Sequence, residues 1–224
     1  MSNFSYVVII PARGGSKSIF KKNLQKINGK SLIRIGIEKF KTVSNISNII
    51  VTSDDDEILS EAKTYGAIPW KRPKEISGDN AISESSLKQV LENCEIIGSE
   101  EHIIFHQCTS PLLSIDSIKK ALLMFQTSES TCVFTVQEEY NPTWASSQNK
   151  LEILNKEDLN RKSRQERNPT LIETGGLYVI DRNSFMKDFN RFGDSPTHLI
   201  ISKIESLDID EEIDLKIAKQ LIRL

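Results

Sequence analysis

Between residues 6 and 136 the chain alternates short β-branched runs with stretches whose apolar residues return every three or four positions. The runs at residues 6–10, 49–52, 67–70, 102–105 and 132–136 read as strands. Between them, Ser31 can cap a helix carrying Leu32, Ile33, Ile35, Ile37 and Phe40, and Ser53 or Asp54 can cap one carrying Ile58, Leu59 and Ala62. Ser83 starts a helix with Leu87, Val90 and Leu91, and residues 115–125 form another. Strands alternating with helices predict an α/β fold, with a mostly parallel twisted sheet and helices on both faces.

The pattern changes after residue 136. Residues 137–169 are polar, with a strand-like piece at 151–154, and residues 160–168 are strongly charged. A long irregular stretch inside one domain is usually functional or disordered. Regular structure resumes at 176–180 and 199–204, and an amphipathic helix covers about 211–222. There is no internal repeat and no sustained heptad, so residues 1–224 are read as one domain with an excursion at 137–171.

Charge narrows the functional classes. With 29 Lys and Arg against 31 Asp and Glu, the net charge is −2, so nothing calls for nucleic acid or an anionic membrane as a partner. Any anion site must be built locally. Cys94, Cys108 and Cys132 are widely spaced in apolar surroundings, without metal-binding spacing, and read as reduced core thiols. No apolar run approaches the roughly 18 residues of a membrane span. The first residues lack a basic and apolar leader, and a cytoplasmic location is expected.

A local anion site follows the first strand. Ile10-Pro-Ala-Arg-Gly-Gly-Ser-Lys17 combines small residues with cations, and Lys21, Lys22 and Asn23 follow closely. Small residues let backbone N–H groups approach phosphate oxygens, and the ends of parallel strands are where such sheets bind ligands. The loop is neither a G-x-x-x-x-G-K-[ST] nor a G-x-G-x-x-G motif. Taken alone it reads equally as a phosphate cradle or a basic surface turn. Far downstream, Asp208 and Asp210 alternate along an extended segment and so share a side. Two carboxylates facing phosphates suit Mg²⁺ (or Mn²⁺), whereas Glu211 and Glu212 suit a helix N-terminus. Asp54 and Asp55 read as helix caps, and Tyr178 as core. His102, His106 and His198 share no metal-like spacing.

The order of residues goes further. Ile10-Pro-Ala-Arg-Gly-Gly-Ser-Lys-Ser-Ile-Phe-Lys-Lys-Asn23 resembles the signature of the CMP-sialic acid synthetase (acylneuraminate or nonulosonate cytidylyltransferase) family. Family-like motifs follow in order: Val51-Thr-Ser-Asp-Asp55, Lys71-Arg-Pro73 with Asp79, Gln107-Cys-Thr-Ser-Pro-Leu112, Arg164-Gln165, Glu173-Thr-Gly-Gly-Leu-Tyr178, and Asp208-Ile-Asp210 with Asp214. Ser18 and Phe20 stand where the family has Gly and Pro, which reshapes the loop but keeps its cations.

The resemblance implies a three-layer nucleotidyltransferase sandwich (GT-A-like, Rossmann-like) and transfer of CMP from CTP to a sialic-acid-like nonulosonic acid, releasing pyrophosphate. It implies a homodimer, with the excursion reaching the partner's sugar site. It assigns Arg13, Lys22 and Asp210 to catalysis. Ala12, Arg13, Ser16, Lys17, Lys22, Asn23, Arg72 and Ser83 are assigned to the nucleotide, Gln107, Arg164 and Glu173 to the sugar, and Asp208 and Asp210 to the metal. Because residues near Trp144 and at Glu173 are aromatic and acidic rather than basic, the sugar stays open between N-acetylneuraminate and a legionaminate or pseudaminate type. A 3-deoxy-octulosonate enzyme normally has a different loop after Pro-Ala-Arg. A non-catalytic nucleotide-binding regulator would not need Asp208 and Asp210.

Overall fold

The computed structural model describes residues 4–78, 82–98, 101–147, 150–160 and 163–222. Asp79 of the third motif, and Arg161 and Lys162 of the charged run, lie outside the described residues. A seven-stranded sheet, ordered β11-β7-β10-β6-β1-β4-β5, forms the middle layer. Its strands are β1 (Tyr6–Pro11), β4 (Ile46–Ser53), β5 (Ile68–Lys71), β6 (His102–His106), β7 (Cys132–Glu139), β10 (Thr170–Ile180) and β11 (Pro196–Ile200). β1 pairs in parallel with β4 and β6, β4 with β5, and β7 with β11, while β10 runs antiparallel between β6 and β7. The sheet is thus mostly parallel, as expected.

Alternation along β1 explains the layers. Tyr6, Val8 and Ile10 join one apolar cluster, and Val7 and Ile9 the other. The first cluster is completed by α1 (Leu32–Lys41), α2 (Asp56–Thr64) and α4 (Ile115–Thr127), the second by α3 (Ser83–Asn93) and α5 (Arg182–Asp188). Burying such side chains contributes roughly 1.5–3 kcal/mol each. A third cluster joins Ile19, the hairpin β2 (Lys26–Ile27) and β3 (Lys30–Ser31), and the terminal helix α6 (Glu212–Leu221) through Ile27, Ile209, Leu215 and Ala218.

Several boundaries differ from the sequence pattern. Ser31 caps α1 as expected, accepting from Arg34 N at 3.1 Å. Of the capping candidates Ser53, Asp54 and Asp55, it is Asp55 that caps α2, its Oδ1 accepting from Glu57 N at 2.8 Å. Asp54 instead accepts from Gly14 N at 2.9 Å. The expected strand at 199–204 ends at Ile200, because residues 201–206 turn to bring Glu205 under α4. β7 and β10 reach into both ends of the expected excursion and pair there, Thr170 with Glu139 and Ile172 with Gln137. Between them, β8 (Trp144–Ser147) and β9 (Lys150–Ile153) form a separate two-stranded sheet, of which periodicity signalled only the second strand. Trp144, Leu151, Leu154 and Leu159 of this region are exposed.

Glu205 anchors the segment leading to Asp208. It accepts from Ser114 N at 3.1 Å and Ser117 Oγ at 2.7 Å, at the start of α4 where the helix dipole favours an anion. Burial alone would raise its carboxyl, but these hydrogen bonds outweigh burial and hold it at about 2, below the ordinary 4.5. A depressed folded-state value means stability that is present above the unfolded value and lost as pH falls through the folded one. Glu205→Gln should therefore lower stability by about 1–2 kcal/mol at neutral pH, after discounting for solvent screening. The gap from the parent should shrink between pH 4.5 and about 2, as read by urea unfolding at stepped pH. A gap independent of pH would rule out the charged form as the source.

Candidate active site

The parallel strands β1, β4 and β6 end on one side of the sheet, and a cavity of about 260 Å³ opens there. The loop after β1 provides Arg13, Lys22 and Asn23. The segment after β5 and the first turns of α3 provide Arg72, Ser83 and Ser86. The turn after β6 provides Gln107, Cys108 and Thr109, and the segment before α6 provides Asp208 and Asp210. Residues nearly two hundred positions apart thus meet in one cleft.

The loop is held from several sides. Gly14 donates to Asp54, and a Cβ at Gly14 would lie 2.7 Å from the Asp55 side chain, so the close approach requires glycine. Lys21 adopts left-handed backbone angles (φ 48°, ψ 46°), unusual for a residue with a Cβ, and pairs with Glu57. The tight turn Lys22–Leu24 follows. Asn23 is 6% exposed, donates from Nδ2 to Arg13 O at 2.9 Å and accepts from the Cys108 thiol at 3.2 Å. Burial pushes the Cys108 thiol up to about 12, so it remains a donor.

Arg72 is a buried cation in the cleft. Its side chain is buried, donating from Nη1 to Ser86 Oγ at 2.9 Å and from Nη2 to Thr52 O at 2.8 Å. Its Nε has no hydrogen-bond partner among the described residues. Burial lowers the pKa of this guanidinium, Asp54 opposes that shift, and Arg13 adds to it. A guanidinium stays charged in proteins, so two of them lining one cleft make it suited to an anion.

Asp208 and Asp210 form the opposite wall. Ile209 between them is fully buried, and its backbone N donates to Thr109 O at 2.9 Å, which locks the segment against the end of β6. Burial raises the Asp208 carboxyl; Thr109 hydrogen-bonding lowers it, and Asp210 raises it again. Asp210 N and Glu211 N both donate to Asp214 Oδ2, at 3.0 and 2.8 Å. Lys22 Nζ lies 3.0 Å from Asp210 Oδ1, so an ammonium partly offsets the paired carboxylates. Among the described residues no group of three His, Cys, Asp or Glu could hold a metal by itself. Two carboxylates suffice for Mg²⁺ when phosphate oxygens and water complete its shell.

Eight expected site residues line this cleft: Arg13, Lys22, Asn23, Arg72, Ser83, Gln107, Asp208 and Asp210. Others do not. Ala12 is buried, its N donating to Thr52 O at 2.9 Å, while Ser16 and Lys17 lie along the loop outside the lining. Arg164 stacks on Tyr140 at 5.1 Å within the excursion, and Glu173 accepts from the buried Tyr178 hydroxyl. The sequence did not place Ser86, Cys108 and Thr109 in the cleft; it read Asp54 as a helix cap and Asp214 as part of the last motif, and gave neither a tethering role. Ser86 was legible as one turn beyond Ser83 on the same helix face, and Cys108 and Thr109 sit inside a motif already noted. Among the described residues no helix is long and apolar enough to cross a membrane.

Comparisons place this geometry. The chain is 29% identical to the pseudaminic acid cytidylyltransferase of Campylobacter jejuni subsp. jejuni serotype O:2, covering 96% of this chain and 95% of that one. It is 29% identical to the CMP-N,N'-diacetyllegionaminic acid synthase of the same organism, over 96% and 94%. A CMP:2-keto-3-deoxy-manno-octonic acid synthetase solved with CTP shares the fold, with a TM-score of 0.71 at 15% identity over 97% and 98% of the two chains. Residues 7–221 match the profile of the cytidylyltransferases, and the chain belongs to that family.

Proposed function

We propose that the chain transfers CMP from CTP to the anomeric hydroxyl of a nonulosonic acid, giving the CMP-sugar and pyrophosphate. The observation that carries this reading is the cleft itself, with Arg13, Lys22 and the incompletely bonded Arg72 facing Asp208 and Asp210. The names of the two Campylobacter relatives supply the acceptor class.

The cytidine and triphosphate lie across the strand ends. Arg13 and Lys22 neutralise charge that grows on the α-phosphoryl group and on departing pyrophosphate, in a site where preorganised cations act more strongly than in water. Lys17 and the backbone of Ser16 extend the cradle towards the outer phosphates, while Ala12, its amide held by Thr52 O, fixes where the loop begins. Asn23, Arg72 and Ser83 contact base and ribose. Asp208 and Asp210 would hold Mg²⁺ or Mn²⁺, which supplies charge neutralisation to phosphoryl oxygens when bound. The anomeric oxygen attacks the α-phosphorus, the new O–P bond forms as the bond to the β-phosphate oxygen breaks, and the hydroxyl proton passes to solvent. Positioning of the two reactants contributes most of the rate.

Gln107 contacts the sugar from the cleft. Arg164 binds the sugar carboxylate from a second copy of the chain, because its place in the excursion lies away from its own cleft. The apolar residues Trp144, Leu151, Leu154 and Leu159 support an interface between two copies. The enzyme works in the cytoplasm.

With CTP and Mg²⁺, pyrophosphate release is expected for at least one of N-acetylneuraminic, pseudaminic and legionaminic acids, and mass spectrometry of the CMP-sugar identifies which. Silence of the folded protein across that panel, with 3-deoxy-octulosonate accepted instead, would replace the acceptor class; silence with every sugar would leave a nucleotide-binding protein. Asp210→Asn should lower kcat by about 10²-fold or more with an unchanged circular dichroism spectrum, and an unchanged rate removes Asp210 from the metal site. Light scattering should give a dimer, and Leu151→Glu with Leu154→Glu a monomer; a monomeric parent chain contradicts the interface.

A further inference from the structure

Arg191 belongs to none of the motifs and does not line the cleft, yet it is a well-anchored cation. It lies in the turn between α5 and β11, 108 residues after Ser83. Its Nε donates to Glu84 Oε1 at 2.6 Å, and its Nη2 donates to Ser83 Oγ. The guanidinium also packs against two rings, with Cζ 4.7 Å from the centre of Tyr178 and 5.1 Å from that of Phe105. Only 12% of its side chain is accessible. A buried cation is tolerated when its charge and hydrogen bonds are met, and here a carboxylate, a hydroxyl and two π faces meet them.

The anchoring bears directly on the nucleotide cleft. Ser83 opens α3 and lines the cleft. The N-cap of α3 is Ile82, which has no side-chain acceptor for the first-turn amides. The first turn is held from outside instead, by the two-pronged bond of Arg191 to Ser83 and Glu84. That bond also sets the direction of the Ser83 proton. An oxygen accepting from a guanidinium must turn its own hydrogen elsewhere, and the neighbouring acceptor, Glu84 Oε2, is 3.3 Å away. Hydroxyl hydrogen bonds favour about 2.7–2.8 Å. Ser83 is therefore a fixed donor whose proton is weakly held and free to turn to an acceptor on a bound nucleotide.

We propose that Arg191 is a positioning residue for the nucleotide: by gripping Ser83 and Glu84 it presents the Ser83 hydroxyl to the cleft as a donor, and so sets the affinity for CTP without touching it. The proposal rests on the CTP-binding reading above. The alternative is plain structural glue between the α5–β11 turn and the sheet, and coupling to Ser83 separates the two.

The test is calorimetric titration of CTP into the full chain, for wild type, Arg191→Lys, Ser83→Ala and the double variant. Lysine keeps a cation over the rings but cannot make both forked bonds. Arg191→Lys should weaken CTP about ten-fold, and Ser83→Ala by a similar factor, as befits loss of one charge-assisted hydrogen bond. The double variant should bind no worse than the weaker single one. Glu84→Gln, which removes the carboxylate aiming the guanidinium, is the second variant and should show the same lack of further loss in the Ser83→Ala background. Arg191→Lys within about two-fold of wild type, or losses that multiply in the double variant, would overturn the positioning role. A wild type that does not bind CTP overturns the functional reading and this proposal together; a wild type that binds, with independent losses, overturns this proposal alone.

Discussion

Like charges crowd the cleft on both sides. Arg13 and Arg72 both line it and are close enough for one to disfavour the other's charge, as are Asp208 and Asp210. At about 4 Å, unit charges of one sign repel by about 1 kcal/mol in water and several times that near a protein surface. Opposite charges close by offset part of that repulsion, Asp54 beside Arg72 and Lys22 on Asp210, and the fold holds the rest. Much of the structure around the strand ends does this work.

The restraints are mostly hydrogen bonds between segments distant in the chain, with one apolar anchor at Ile209. Ile209 buries itself between its two acidic neighbours and hydrogen-bonds Thr109, so neither carboxylate can swing away with the backbone. Asp214 holds the amides of Asp210 and Glu211 from the other side. On the cationic wall, Arg72 is fixed by Thr52 and Ser86, Arg13 O by Asn23, and Asn23 by Cys108. Lys22 crosses the cleft to Asp210, a partial neutralisation that a bound cation and phosphates can take over. Strain at Lys21 and tight contact at Gly14 belong to the same pattern, since positions over-determined by their surroundings gather where function needs fixed geometry.

Legibility in the sequence followed the range of the interactions. Strands such as β1 and β6 were visible because both faces are buried and the apolar run is continuous. The Ser31 cap was visible because its partner is three residues away. Asp54 and Asp55 were both capping candidates, and only Asp55 caps; Asp54 is drawn off by Gly14, 40 residues earlier, a contact no local pattern carries. The strand β8 has exposed residues throughout and so no inward face to set a period. For the cleft, motif order brought in Arg13, Lys22, Gln107 and Asp208. It did not distinguish these from Lys17, Arg164 and Glu173, which the folded chain leaves outside the cleft.

Arg191 marks the far end of that scale. It carries no motif, bonds to Ser83 and Glu84 more than a hundred residues earlier, and gains its aromatic contacts because β10 runs back between β6 and β7 and brings Tyr178 beside Phe105. Gly175, at φ +73°, allows the irregularity between Glu173 and Tyr178 that resets β10 before it enters the core. One antiparallel strand in an otherwise parallel sheet therefore does two things. It returns the excursion to the domain, and it builds the aromatic seat from which a late arginine can grip the start of α3. Placement of the Ser83 hydroxyl in the cleft then draws on a topology that no window of sequence contains.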